Sequence, residues 1–341
     1  MIRILPILAL FACTGELPEV PPDTGDGPPP MPNYPLDDLL TLSDVQAKGT
    51  HNSYHVEPGT VFHPSHRYTH LPLDQQLETQ GVRQFELDIH YHSEEGFQVF
   101  HIPGVDPDST CLQLSDCMSV IKGWSDKNPQ HMPIMVWFEL KDDIDGVVPD
   151  LESLEGRYEE LENAVLAVWP TQRVLTPDEV RNGAATLSEA VTTVGWPTLG
   201  ALRGRILFAL LEDGVHRENY LEGAPSLEGR LFFAGASEPE DAYAAVFKIN
   251  DARSGATRVA DLVSQGFVVT CNTDAADASA EDNADKLAAS LLSGVNFLSS
   301  DHPGPVEGKE YWFDLPQGAP ARCNPVHAPV ECTPADIETK P

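Results

Sequence analysis

The stretch Val82–His101, VRQFELDIHYHSEEGFQVFH, decides the fold. In its first half Phe85, Leu87 and Ile89 fall on one side of an extended strand, and Glu86, Asp88 and His90 fall on the other. The apolar side predicts a half-buried strand. Two carboxylates at i and i+2 then stand side by side, where like charge repels unless a cation or a proton intervenes. Phe97 to His101 reads as a second short strand that ends on a histidine. A carboxylate pair and a histidine at strand ends mark the rim where α/β barrels keep their chemistry.

Working outward, Asp44 to Lys48 is a strand candidate that runs into Gly49-Thr50-His51-Asn52-Ser53-Tyr54. Pro133 to Leu140, PIMVWFEL, is an apolar run with one charge, Glu139, near its end. Continuous apolar runs belong to strands covered on both faces, as in parallel sheets. Further strand candidates lie at 205–211, 231–235, 245–250, 267–271 and 296–299, the last leading to Asp301. Helical periodicity appears at 73–80, 151–168, 177–183, 187–194, 252–264 and 281–292. Nine strand candidates interleaved with helices predict a single TIM (β/α)₈ barrel, with one candidate outside it. The competing doubly wound sheet would carry a Gly-rich phosphate fingerprint after its first strand, and none is present.

The 341 residues are enough for one large core, and the formal net charge is −32. That balance excludes a general nucleic-acid binder, which needs a basic face, and favours cations. Residues 1–13, MIRILPILALFAC, read as a signal peptide too short to span a bilayer. Leu10-Phe11-Ala12-Cys13 resembles a bacterial lipobox, so Cys13 is the expected lipidation site of an exported cell-envelope lipoprotein, with a secreted form as the alternative. Residues 14–35 hold eight prolines and no basic residue, the composition of an extended tether. The barrel is expected over 36–315 and a Pro-rich tail over 316–341. Export permits disulfides, with Cys111 near Cys117 and Cys323 near Cys332, leaving Cys271 as a buried thiol.

The polar outliers His51-Asn52, Glu86 and Asp88, His101, and Glu139 fall at the ends of the first four strand candidates. A barrel gathers such ends on one rim. Three carboxylates and an amide oxygen make an all-oxygen set that suits Ca²⁺, whereas Zn²⁺ prefers His or Cys. A divalent cation with a histidine on either side suits phosphodiester cleavage. The metal neutralises phosphate, one imidazole protonates the leaving oxygen and the other hydrogen-bonds the charged transition state. His55, His63, His66 and His70 form a second cluster, but their irregular spacing in a predicted loop does not specify a zinc site.

Thr50 to Tyr54, Gly81 to Asp88, His101 and Pro133 to Glu139, in this order, resemble the catalytic half of Ca²⁺-dependent phosphoinositide-specific phospholipase C. Gly195 to Leu199 with Leu202 to Arg205, and the pair Cys111 and Cys117, are similar to its bacterial secreted branch. The resemblance spans roughly residues 44 to 302. It implies Ca²⁺ held by Asn52, Glu86, Asp88 and Glu139, and His51 and His101 as the catalytic pair. It implies attack by the inositol 2-hydroxyl to give a cyclic inositol phosphate, with Glu86 or Glu139 as base. His101 would be the general acid and His51 the stabiliser of the phosphorane-like state. Lys141, two residues past Glu139, is placed to contact a phosphate. A monomer working on a membrane through its lipid anchor is the expected state.

One departure bears on the substrate. Where the bacterial branch carries an arginine-rich segment after its seventh strand, this chain has Val269-Thr270-Cys271-Asn272-Thr273-Asp274. Loss of both arginines, near Thr270 and Asn272, points to a different or less charged phosphodiester, including soluble inositol or glycerol diesters. The alternatives are a glycerophosphodiester phosphodiesterase, whose usual His-Arg-Gly is here His51-Asn52-Ser53, and a non-catalytic Ca²⁺-binding surface lipoprotein.

Overall fold

A computed structural model describes residues 34–142, 149–306, 309–315 and 318–339. Cys13 and most of the expected tether lie outside the described residues.

Eight parallel strands build the barrel. They are β1 (Val45–Thr50), β2 (Val82–His92), β3 (Ile134–Leu140), β4 (Ile206–Leu210), β5 (Phe233–Ala234), β6 (Val246–Ile249), β7 (Val268–Asn272) and β8 (Phe297–Ser300). Their spatial order follows the sequence, with β8 returning to pair with β1. The β5–β6 seam closes through a single parallel bridge between Gly235 and Val246, next to which the Ala236 N–H donates to the Val246 carbonyl. This is the (β/α)₈ barrel predicted from the alternation of apolar runs and helices.

Burial departs from the expectation for β2. The strand is covered on both faces from Val82 to His90, where a half-buried strand was expected. Phe85, Leu87 and Ile89 belong to the hydrophobic core, while Glu86 and Asp88 are buried with the polar face. An antiparallel sheet can leave one face to water, but a parallel barrel strand is covered on both. The charged face is therefore enclosed, and it needs internal counter-charges.

The candidate outside the barrel is the one ending at His101. Gly96–Val99 runs antiparallel to the outer end of β2, with Ile89 opposite Val99. Leu151–Glu152 adds a second antiparallel pairing to β2, opposite Tyr91 and His92. Residues 151–168 are thus not one helix. The helix starts at Tyr158, after Gly156 turns the chain at φ +81°. The helix Gly214–Leu221 carried no clear periodic signal and was not expected.

The segment after the barrel is packed. Ala321–Cys323 pairs antiparallel with β1, and the Cys323–Cys332 disulfide closes the following loop. Arg83, fully buried at the start of β2, is held by the Glu338 carboxylate, which also accepts the Met132 N–H at 2.9 Å. The Cys111–Cys117 disulfide is also formed, and Cys271 is a buried free thiol whose pKa burial pushes up to about 12. Tyr34 is buried, with the Arg203 guanidinium 3.8 Å over its ring.

Candidate active site

Strand register brings the site together. β1 and β8 pair Thr50 with Ser300, so the next residues, His51 and Asp301, leave the barrel side by side. β2 and β3 pair Asp88 directly with Glu139. At Gly49 a Cβ would fall 2.1 Å from Gln84 Oε1, so the Gln84 side chain of β2 packs over the bare backbone of β1. Asn52 takes the left-handed conformation at φ +42°, which Asn tolerates better than most residues, and it is buried.

His51, Asn52, His101, Glu139 and Lys141 line one cavity of about 380 Å³ together with Asp301. Glu86 and Asp88 are buried beside it, reached through His51 and Lys141. Every described residue expected at the site is thus at or directly behind one cavity.

His51 Nδ1 is 2.7 Å from Asp301 Oδ1, and its Nε2 is 3.6 Å from Glu86 Oε1. Burial alone would lower its pKa. The carboxylates of Asp301 and Glu86 overcome that and raise it to about 9, so the ring is an imidazolium at neutral pH. His101 Nδ1 is 2.7 Å from Asp106 Oδ2. A tight turn holds Asp106 there: Ile102 and Asp106 exchange backbone hydrogen bonds of 3.0 and 2.8 Å across Gly104.

The three carboxylates are met by two lysines. Lys248 of β6 pairs with Glu86. Lys141 lies 2.5 Å from Glu139 Oε1 and 3.1 Å from Asp88 Oδ2. Burial pushes the Asp88 carboxyl above the usual carboxylate range; Lys141 pulls it back and the like charge of Glu139 pushes it up again. Lys141 and Lys248 thus set two ammoniums against the three carboxylates.

Four residues with parts in this geometry were not assigned by sequence reasoning. Lys248, Asp301, Asp106 and Asp274 contribute, the last accepting the Asp301 N–H at 2.7 Å and lining the cavity. Lys248 sits between apolar Phe247 and Ile249, and a lysine within a short apolar strand was a usable signal. Asp106 sits in a loop of no regular spacing and gave none.

The model of the family described as phosphoinositide phospholipase C, Ca²⁺-dependent, matches residues 40–96 and 91–325. The chain belongs to this family. Among solved structures, the calcium-dependent phosphoinositol-specific phospholipase C of a Gram-negative Pseudomonas species is 18% identical, with a TM-score of 0.60 over 85% of this chain and 97% of that one. Its myoinositol complex matches at 0.59. The Ca²⁺-dependent phosphatidylinositol-specific phospholipase C of Streptomyces antibioticus is 19% identical, with a TM-score of 0.55 over 77% of this chain and 95% of that one. At these identities the structures establish the shared barrel. None of the curated proteins compared with the chain matches it.

The residues fit the cation that names the phospholipase C family. Asp88 is fully buried, yet neither of its oxygens accepts a well-aligned hydrogen bond. With Asn52, Glu86 and Glu139 it offers hard oxygen donors only, the set Ca²⁺ takes. A divalent ion would also supply positive charge of the kind Lys141 and Lys248 now bring.

Proposed function

We propose that this enzyme cleaves the phosphodiester of phosphatidylinositol-type substrates in a Ca²⁺-assisted reaction that passes through a cyclic inositol phosphate. The observation that supports it most is the pair of histidine–aspartate couples, His51–Asp301 and His101–Asp106, whose two rings line the same cavity as Glu139. Asn52, Glu86, Asp88 and Glu139 would hold the ion, which supplies charge neutralisation at the phosphate and acidifies a hydroxyl.

The chain's own residues would do the rest. Glu86 or Glu139 takes the proton of the inositol 2-hydroxyl as its oxygen bonds to phosphorus. The bond from phosphorus to the glycerol oxygen breaks. His101, held through Nδ1 by Asp106, gives that oxygen a proton from Nε2. His51, kept cationic by Asp301 and Glu86, donates to a phosphoryl oxygen as charge builds on it. Water then opens the ring with the roles of acid and base reversed. Lys141 would bind phosphate from the cavity wall. The positions where arginines were expected carry Thr270, whose hydroxyl accepts the Trp137 indole N–H at 3.1 Å, and Asn272 on the cavity wall. This supports a less highly phosphorylated headgroup. Export and lipidation at Cys13, and a monomeric state, complete the proposal.

The test uses the whole chain with phosphatidylinositol and with glycerophosphoinositol, each with Ca²⁺ and with chelator, and products identified by phosphorus NMR. A cyclic inositol phosphate that appears only with Ca²⁺ is expected, and the faster substrate decides between lipid and soluble diester. No phosphodiester turnover under any condition would overturn the reading.

A further inference from the structure

The aspartate that steers His101 is itself held from behind. Asp106 is fully buried, and burial alone would push its carboxyl up; the hydrogen bonds from His101 and His55 hold it well below the usual carboxylate range. His101 Nδ1 is 2.7 Å from Oδ2. His55 Nε2 reaches both oxygens, at 3.0 Å (Oδ1) and 2.8 Å (Oδ2). Among the described residues these two rings are the carboxylate's only hydrogen-bond donors, and Oδ1 has His55 alone. His66 Nδ1 stands 3.5 Å from Oδ2 and has no hydrogen-bond partner among the described residues.

The place of His55 is fixed from several sides. Its Nδ1 donates to the Tyr68 carbonyl at 3.0 Å, and its ring stacks on the Tyr68 ring with centroids 4.2 Å apart. Both ring nitrogens therefore face acceptors. Its backbone bridges Ser109, and next to it the Thr110 N–H donates to the Tyr54 carbonyl at 2.8 Å. These contacts tie the segment after β1 to the loop that carries Asp106. His66, Tyr68 and His101 line the cavity, whereas His55 is fully buried behind its wall and out of reach of a substrate bound there.

From this geometry we propose that His55 is a positioning residue for the general acid: it pins the Asp106 carboxylate, which in turn fixes the rotation of the His101 ring. One bond from His101 to one oxygen leaves a carboxylate free to turn about its Cβ–Cγ axis. The fork from His55 Nε2 onto both oxygens removes that freedom. Without His55, Oδ1 is a buried oxygen with no donor, which burial penalises. The carboxylate then turns to find one, and the unpartnered His66 Nδ1 competes with His101 for it. His101 Nε2 loses its aim at the leaving oxygen, and proton transfer is sensitive to that aim. Because it acts through His101 as the acid, this role rests on the reading proposed above.

The experiment uses the whole chain with Ca²⁺. His55→Leu keeps the bulk of the ring and removes both donors. His55→Gln keeps one donor for Asp106 and serves in its place if near-UV circular dichroism shows the leucine variant unfolded. Turnover of phosphatidylinositol should fall by ~10–100-fold in His55→Leu, and less in His55→Gln, with KM little changed. With an inositol phosphodiester whose leaving group is an acidic phenol, most of that loss should be recovered, as in His101→Ala. Adding His55→Leu to His101→Ala should cost almost nothing more, because both act on one step. A loss in the His55 variants that is equal on both substrates, while His101→Ala recovers, would overturn the positioning role and leave the general acid in place. A His101→Ala variant that does not recover would overturn the general acid instead. Proton NMR then judges the positioning role without turnover. The His101 Nδ1 proton, shared with a carboxylate, resonates far downfield and is identified by its absence in His101→Ala. It should broaden or vanish in His55→Leu through exchange with water. A downfield resonance unchanged in the His55 variants would overturn the proposal whatever the kinetics.

Discussion

His51 and His101 are the same device in two surroundings. Each ring has Nδ1 2.7 Å from an aspartate, and each reaches the same cavity. The aspartates come from different places: Asp301 follows β8, next door to β1, while Asp106 is turned back by a loop. The charge around them differs more. His51 stands against Glu86, which Lys248 also holds, and is kept cationic to about pH 9. His101 shares Asp106 with His55 and His66 and touches none of the strand-end carboxylates at salt-bridge distance. A ring held as a cation by two carboxylates serves to stabilise negative charge. A ring that is to lose and regain a proton is better placed away from those carboxylates. Identical hydrogen bonds therefore do not imply identical roles.

The sharpest way to break this distinction is to remove each ring and vary the leaving group. His101→Ala and His51→Ala should each lower turnover on phosphatidylinositol by ~10²–10⁴-fold. With a substrate whose leaving group is an acidic phenol, no proton need be given to it. His101→Ala should then recover most of its loss and His51→Ala should not. Equal recovery in both, read as kcat on the two substrates, would make the roles the same.

The aspartates give a smaller effect. Asp106→Asn should lower kcat by ~10–100-fold with little change in KM, because the ring loses its orientation while the substrate still binds. Asp301→Asn should cost a similar factor and should also lower the pH above which activity falls, because His51 loses the carboxylate that holds its proton. Lys248→Met removes the ammonium competing for Glu86, and it should raise Ca²⁺ affinity by a few fold in calorimetric titration. Lowered affinity would assign Lys248 a supporting part in the cation site.

How much of this was legible follows the same line between strands and loops. Alternation in β2 and the lone Glu139 in β3 exposed the carboxylates, because strand periodicity is written residue by residue. That Asp88 faces Glu139 was not written anywhere local, since register is a property of two strands. His51 and His101 were visible as strand-end outliers, but their aspartates were not, one lying 250 residues away and the other in an aperiodic turn. The helix expected over 151–168 failed at Gly156, whose positive φ ends the preceding turn. Within the run His55, His63, His66 and His70, the fact that His55 and His66 face one carboxylate was hidden in the same way, because Asp106 comes from a different loop.

The smallest expected effect is on stability, and it separates the two rings without any substrate. His51 has its folded pKa raised from about 6.5 to about 9. A raised histidine contributes stability that is complete below its unfolded pKa and is lost as pH rises through its folded pKa. In chelator, the urea midpoint should therefore fall as pH rises from about 6.5 to about 9. Asp301→Asn removes the contact that holds the proton, so the midpoint should flatten over that window, whereas Asp106→Asn should leave the slope in place. A slope abolished by Asp106→Asn and kept in Asp301→Asn would move the persistent cation to the other ring and exchange the two roles.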